Sequence, residues 1–122
     1  SATEEIPKVV NSLLVWPVEN EKIYETINYY LEEETLSSHM INYLVILGSA
    51  NMGDPSGSGS ARTLSNLKVV DMSSYTGRLG IGAFRNCVNL ETVIRNAKFP
   101  DVPEYCFMNC RKLTTIMEGN KS

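Results

Sequence analysis

A repeat with a period of 23 residues constrains the fold of this 122-residue chain more than any other feature. The segments 83–93 and 106–116 carry Phe, Asn, Cys and Leu at the same four positions, and they agree in a Thr and a Val/Ile near their ends. The alternative is a chance match within an ordinary α/β domain. Four identities in one register argue against it, so we interpret the pattern as an internal repeat.

Earlier copies of the repeat are weaker but keep their apolar positions. A step back of 23 residues reaches Leu64, Leu67 and Val70. A further step needs a gap, after which Leu44 and Ile46 fit the next strand. We therefore count about four repeats, of which the last two are the most regular.

A repeat of this length predicts a solenoid in which each coil holds a short strand, a turn and a compact convex segment. Strands of successive coils pair in parallel, and each coil buries its inner face only against its neighbours. Leu, Val/Ile, Phe and the small Ala/Cys position should point inward. Asn86 and Asn109 recur in the turn, where a side-chain amide can hydrogen-bond backbone groups that the curved chain leaves unpaired.

The spacing of these residues resembles a known family. The segment Ile81–Leu90, with Ile-Gly-Ala-Phe, then Cys, then Leu, looks like the repeat of BspA-like leucine-rich-repeat proteins. Residues 102–110 form a second copy, with Cys106 at the small position, and the resemblance covers about residues 41–118. It implies a bacterial, secreted or cell-surface protein that acts in adhesion and protein binding, with no catalytic residues to carry over.

The sequence departs from the family pattern in two places. Arg95 and Glu118 stand where the family usually has an apolar residue, and the Gly/Ser-rich loop at 51–61 is longer than a turn. Adjacent coils place equivalent positions about 4.8 Å apart, so we expect Arg95 and Glu118 to form an ion pair. The loop predicts a flexible insertion, without the Gly-Lys-Ser/Thr ending of a phosphate-binding loop.

The first forty residues predict a helical cap for the open first coil. Apolar residues between 6 and 14 fall at helical spacing, and a second helix is predicted over 21–33 with Asn20 as its N-cap. The predicted fold class is α/β: a short leucine-rich-repeat solenoid of about four coils, with parallel strands on the concave face. Its helical cap occupies residues 1–40 and the solenoid residues 41–122.

The residues that could carry chemistry have simpler explanations. His39 is the only histidine, and no carboxylate beside it in sequence marks a catalytic site. Cys87, Cys106 and Cys110 fit small buried thiols of the repeat better than zinc ligands. We expect no catalytic residue, no metal ligand and no cofactor, and we interpret the chain as a non-enzyme.

Composition excludes two classes of partner. Eleven basic and 14 acidic residues give a net charge of −3, which lacks the basic face that nucleic acid requires. The longest aliphatic run, Leu44–Leu47, is of strand length and cannot span a bilayer. The resemblance implies an extracellular or cell-surface location, with a signal peptide removed.

Alternation along the strands predicts the candidate interaction surface. If Leu44 and its repeat equivalents point inward, their neighbours form two outward rows. These rows are Tyr43, Val69, Thr92 and Thr115, and Val45, Asp71, Ile94 and Met117. Such an apolar face is typical of an interface, here with an unknown protein or host surface ligand. The alternative is that the N-terminal segment or a neighbouring chain covers it.

The last predicted strand has no cap in the sequence. The chain ends at Met117–Ser122, directly after that strand. An open edge invites pairing with another chain, so we expect self-association, or a boundary within a longer repeat array. Three functions remain in view: a binding or adhesion module, a structural homo-oligomerising protein, and a small enzyme that would need His39 beside a cysteine or carboxylate.

Overall fold

A computed structural model describes residues 8–10, 13–18, 40–48, 61, 64–98 and 105–119. These residues contain a six-stranded sheet in which spatial order follows chain order. The strands are β1 Lys8–Val10, β2 Leu13–Val18, β3 Tyr43–Gly48, β4 Val69–Met72, β5 Thr92–Asn96 and β6 Thr115–Gly119. Strands β2 to β6 are parallel to their neighbours, and β1 is antiparallel to β2. Each parallel connection therefore advances the chain by one strand, as in a solenoid.

The strand register confirms the repeat. Leu44 pairs with Val70, Val70 with Val93, and Val93 with Ile116. Strands β3 to β6 are thus the four predicted parallel strands of one open sheet. Strand β2 adds a fifth, in which Leu14 pairs with Leu44.

The core lies between successive coils. The inward residues Leu44, Val70 and Val93 are at most 1% exposed. Phe84 and Phe107, one period apart, stack with ring centroids 5.7 Å apart and planes 9° from parallel. Full burial of one such side chain contributes about 1.5–3 kcal/mol, so the fold depends on contacts between neighbouring coils.

The N-terminal segment corrects the sequence prediction. The helix expected across residues 6–14 is wrong, because β1 and β2 form an antiparallel hairpin there, with Val10 opposite Leu13. Valines favour extended backbone, and β2 pairs with an edge of β3 that would otherwise be open. The spacing of apolar residues within the segment does not reveal that a strand is needed at the edge of β3. Strand β1 pairs only with residues 13–15 of β2. Pro17 therefore lies where β2 has no partner strand on that side, and proline is tolerated at such an edge.

Two other predictions fall outside the described residues. They are the helix over 21–33 and most of the insertion at 51–61, of which Ala61 alone is described and is buried. The part of the chain that the structure describes contains no α-helix, so the predicted helical cap is not observed.

Backbone hydrogen bonds at the strand entrances repeat from coil to coil. The carbonyl of Asn42 accepts from the amides of Lys68 and Val69 at 2.8 and 3.1 Å. In the next coil, the carbonyl of Lys68 accepts from the amides of Glu91 and Thr92 at 2.8 and 3.0 Å. In the last coil, the carbonyl of Glu91 accepts from the amides of Thr114 and Thr115 at 3.1 and 3.2 Å. These paired bonds align each new strand with the preceding one and thereby fix the register.

The repeated asparagines lie in the left-handed region of backbone conformation. Asn86 has φ 68° and Asn109 has φ 63°. Asparagine tolerates this region better than most residues, which explains its recurrence in the turn. The side chains bond to each other, with Asn109 Nδ2 donating to Asn86 Oδ1 at 2.8 Å. The predicted bond from these amides to the backbone is therefore replaced by a side-chain ladder between coils.

Tyr105 departs from the repeat in its backbone. It has φ 60°, and its equivalent one period earlier is Gly82, with φ 67°. A left-handed conformation costs a residue with a Cβ about 1–2 kcal/mol relative to glycine. Nearly half of the Tyr105 surface is exposed, so the packing of the side chain offsets only a small part of this strain.

We predict that Tyr105→Gly is more stable than Tyr105→Ala by about 1 kcal/mol, because both remove the ring and only glycine relieves the strain. Urea unfolding of the two variants measures the difference. The matched control is the exposed Ile81, which does not have a positive φ. There the alanine variant should be the more stable by about 0.5–1 kcal/mol. The same order at both positions would contradict the assignment of strain to Tyr105.

Candidate functional site

The candidate surface, here called the strand face, consists of the two predicted outward rows. Parallel pairing aligns both rows across β3 to β6. The first row holds Tyr43, Val69, Thr92 and Thr115, and the second holds Val45, Asp71, Ile94 and Met117. The structure thus brings all eight residues onto neighbouring strands in the predicted order.

Exposure of the strand face rises toward the last strand. Its residues on β3, β4 and β5 are half-buried, whereas Thr115 and Met117 on β6 are exposed. Leu13 on β2 pairs with Tyr43, is half-buried, and extends the first row by one strand. The sequence did not predict Leu13 in this row, because its segment has the spacing expected of a helix. The run of mostly apolar residues at 13–18, which has the length of a strand, was the signal that could have predicted its position.

The chemistry of the strand face suits binding of an apolar partner surface. Five of its eight residues are aliphatic or aromatic, two are threonines and one is an acid. The carboxylate of Asp71 is held in place, since its Oδ1 accepts bonds from the backbone amide and hydroxyl of Ser73 at 3.0 and 2.7 Å. A partner would therefore meet a mainly apolar surface with one fixed acceptor group.

Gly119, at the end of β6, lies where there is no room for a side chain. A Cβ added there would lie 2.8 Å from the Cβ of Ser73 and 3.0 Å from Cγ2 of Ile94. The backbone of β6 at Gly119 thus packs close to the side chain of Ile94. Any larger residue at this position would displace part of the strand face.

Arg95 and Glu118 form the predicted ion pair. They are paired residues on β5 and β6, and Arg95 Nη2 lies 3.2 Å from Glu118 Oε2. Both side chains are about one-third exposed or more, so the pair contributes about 0.2–1 kcal/mol. Arg95 pairs with the buried Met72 of β4, so the charge pair replaces apolar packing at the end of this row.

The cysteines serve as packing residues of the repeat. Cys87 and Cys110, one period apart, donate thiol hydrogen bonds to the carbonyls of Ala61 and Phe84, at 3.7 and 3.1 Å. The three cysteines are free thiols. Within the described residues no group of three His, Cys, Asp or Glu side chains is arranged to hold a metal ion. His39 lies outside those residues.

Burial sets the protonation of the thiols. It raises the pKa of Cys106 to about 12, and raises the pKa values of Cys87 and Cys110 above the ordinary thiol value. The nucleophilic form of cysteine is the thiolate. Each thiol therefore stays neutral at physiological pH, unlike the thiols of catalytic cysteines.

The last coil leaves inward positions exposed. Ile116 is 53% exposed, whereas its paired residue Val93 is 1% exposed. Leu113 and Phe107, although packed against the core, are only half-buried. Within the described residues no strand lies on the outer side of β6.

Comparisons with known proteins give one match. The family model described as a BspA type leucine rich repeat region (6 copies) matches residues 58–121, more than half of the chain. No curated protein and no solved structure matched. In the part of the chain that the structure describes, no helix is long and apolar enough to cross a bilayer.

We predict that the stability of the protein falls as the pH rises above about 8.5, where a thiol ionises in the unfolded chain but stays protonated in the core. The stabilisation is complete below that pH and is lost progressively up to the folded-state pKa of about 12 for Cys106. Each such thiol contributes a slope of about 1.4 kcal/mol per pH unit. Urea unfolding between pH 7 and 10.5 measures it.

The variant Cys106→Ala isolates the contribution of one thiol, because Ala83 is the repeat equivalent and fits the same small site. Its stability should fall less steeply with pH, by about 1.4 kcal/mol per unit. Identical slopes for the variant and the parent would contradict the burial of a protonated thiol.

Proposed function

The chain belongs to the BspA-type leucine-rich repeat family, and from this premise we propose that it is a non-enzymatic protein-binding module that acts in adhesion. The proposed location is the cell surface or the extracellular medium, and the association of this family with bacterial surface proteins supports it. Repeat proteins of this kind present an extended concave surface to their partners. The strand face is the surface proposed for this chain.

The observation that carries the proposal is the alignment of the two outward rows. A contiguous apolar surface is costly to expose and is typical of an interface. Val45 and Val69 lie on β3 and β4, in the middle of the sheet, where a partner would bury them most completely. Tyr43 adds an aromatic ring beside Val69, and such residues dominate the binding energy of many interfaces.

The proposal retains the two-part organisation of the chain. Residues 1–40 act as the cap and residues 41–122 as the binding solenoid. The pairing of β2 with β3 supports a cap that continues the sheet. In this arrangement the strand hairpin of β1 and β2 covers the edge of β3 that would otherwise be open.

The proposed adhesion can be measured with beads that carry the chain and a monolayer of epithelial cells. The variants Val45→Lys and Val69→Lys should reduce the number of retained beads by tenfold or more, because each places a charge in a mainly apolar interface. Val88→Lys is the matched control, since Val88 is an exposed valine outside the strand face. Circular dichroism establishes that each variant is folded.

Treatment of the cells distinguishes the kinds of partner. Loss of retention after mild proteolysis supports a protein partner, whereas loss after periodate oxidation alone points to a glycan and overturns the protein assignment. Equal retention of the parent and both strand-face variants would remove the strand face from the binding site.

Homo-oligomerisation is a second candidate function. The specific observation in its favour is the exposure of Ile116 and Met117 on the edge strand β6. It would centre on the β6 edge and share Met117 with the strand face, whereas Val45 and Val69 on β3 and β4 are separated from that edge by β5.

A further inference from the structure

Asp71 is the one charged residue of the strand face, and its neighbours there are largely apolar. Val45 and Ile94 flank it on β3 and β5 in the aligned register, and Val69 precedes it by two residues on β4. All four residues are half-buried. A partner that covers this part of the face would remove the remaining water from the carboxylate, which is costly unless the partner supplies a compensating group.

The hydrogen bonds of Asp71 leave half of its carboxylate available. Both bonds from Ser73, from the backbone amide at 3.0 Å and from the hydroxyl at 2.7 Å, go to Oδ1. Among the described residues no basic side chain is paired with Asp71. Oδ2 can therefore accept a hydrogen bond from a partner, on a carboxylate whose orientation is already fixed.

The position of Asp71 within the sheet also favours a positive charge. Strand β4 lies inside the sheet, between β3 and β5, so its outer face is the side open to a partner. Tyr43 pairs with Val69 and is thus the diagonal neighbour of Asp71. The spacing of parallel strands places the two Cα atoms about 8 Å apart. An aromatic ring attracts cations, so a cation at Asp71 would have two favourable neighbours.

Other occupants fit this position less well. A calcium ion takes about six to eight oxygen ligands, and a magnesium ion demands octahedral coordination. Within the part of the chain that the structure describes, no group of three His, Cys, Asp or Glu side chains could hold a metal ion. An acidic partner would place like charges together in an apolar contact. The chemistry that remains is a lysine ammonium or an arginine guanidinium, which donates to carboxylates.

We propose that the protein bound by the strand face presents a lysine or arginine over Asp71, with apolar side chains beside it that cover Val45, Val69 and Ile94. This inference rests on the proposed function, since it assigns the chemistry of the partner at the same surface. Complementary charges fix the position of a partner and suppress wrong ones, while the apolar contacts supply affinity. The net charge of −3 also favours association with a basic surface.

Selection from a random peptide library displayed on phage tests the chemistry, with the immobilised chain as bait. Peptides retained by the parent should carry a lysine or arginine next to aliphatic or aromatic residues. Asp71→Asn should bind such a peptide about tenfold or more weakly, because the charge is lost. Asparagine keeps an oxygen for the bonds from Ser73, so urea unfolding should give nearly the stability of the parent. Unchanged peptide affinity would limit Asp71 to the turn after β4 and overturn the proposal.

The matched control is Glu91→Gln, which removes one negative charge outside the strand face. Glu91 is exposed and precedes β5. This variant should bind the peptide as the parent does. An equal loss of affinity in both variants would show attraction by net charge alone and overturn the assignment to Asp71. Peptides selected by the parent without enrichment of basic residues would overturn it as well.

An exchange of charges identifies the residue that the partner contacts. Asp71→Lys should reject the basic peptide and bind the same peptide with glutamate in place of its basic residue. Circular dichroism establishes that the variant is folded. A folded variant that rejects both peptides would contradict a direct charge pair at this position.

Chemical modification of the cell monolayer separates this inference from the proposed function. Acetylation of surface lysines, or modification of arginines with phenylglyoxal, should lower the retention of beads that carry the parent chain. Retention that survives both treatments but is lost with Val45→Lys would keep the strand face as the adhesion site and overturn the basic partner. Absence of retention on untreated cells would count against adhesion itself, while the peptide affinities still decide the partner chemistry.

Discussion

Apolar contact between one coil and the next is the interaction on which the whole structure depends. No coil has an inner layer of its own: Leu44, Val70 and Val93 become buried only when strands on both sides bring their equivalents into register. The stacked rings of Phe84 and Phe107 extend the same contact to the convex side. Stability in such an array is approximately a sum over neighbouring coils, so an end coil has half the contacts of an internal one.

That dependence explains why the sequence predicted the solenoid well. Each coil needs the same side chain at the same position, so the sequence repeats with the period of the coil. The repeat is visible at the Phe, Asn, Cys and Leu positions. The register of β3 to β6 and the Arg95–Glu118 pair follow from the period alone, since equivalent residues must be neighbours. The order of the two rows of the strand face follows as well. Their role in binding remains a proposal, because periodicity describes a scaffold and carries no information about what it holds.

Predictions failed where the determining interaction lies outside the local segment. The helix expected at residues 6–14 rested on spacing that a strand hairpin also satisfies, and the edge of β3 decides between them. The asparagine ladder was missed for a related reason. Sequence indicates that Asn109 recurs, but its left-handed backbone and its bond to Asn86 depend on how the coils turn.

The coils are unequal in length although their strands remain in register. From Val70 to Val93 the chain uses 23 residues, from Leu44 to Val70 it uses 26, and from Leu14 to Leu44 it uses 30. The entropy of closing a loop grows only with the logarithm of its length, so the longer coils cost about 0.1 and 0.2 kcal/mol more than the regular one. Insertions between strands are therefore almost free in energy. A chain built in this way can acquire new loop sequences over evolutionary time while its sheet stays unchanged.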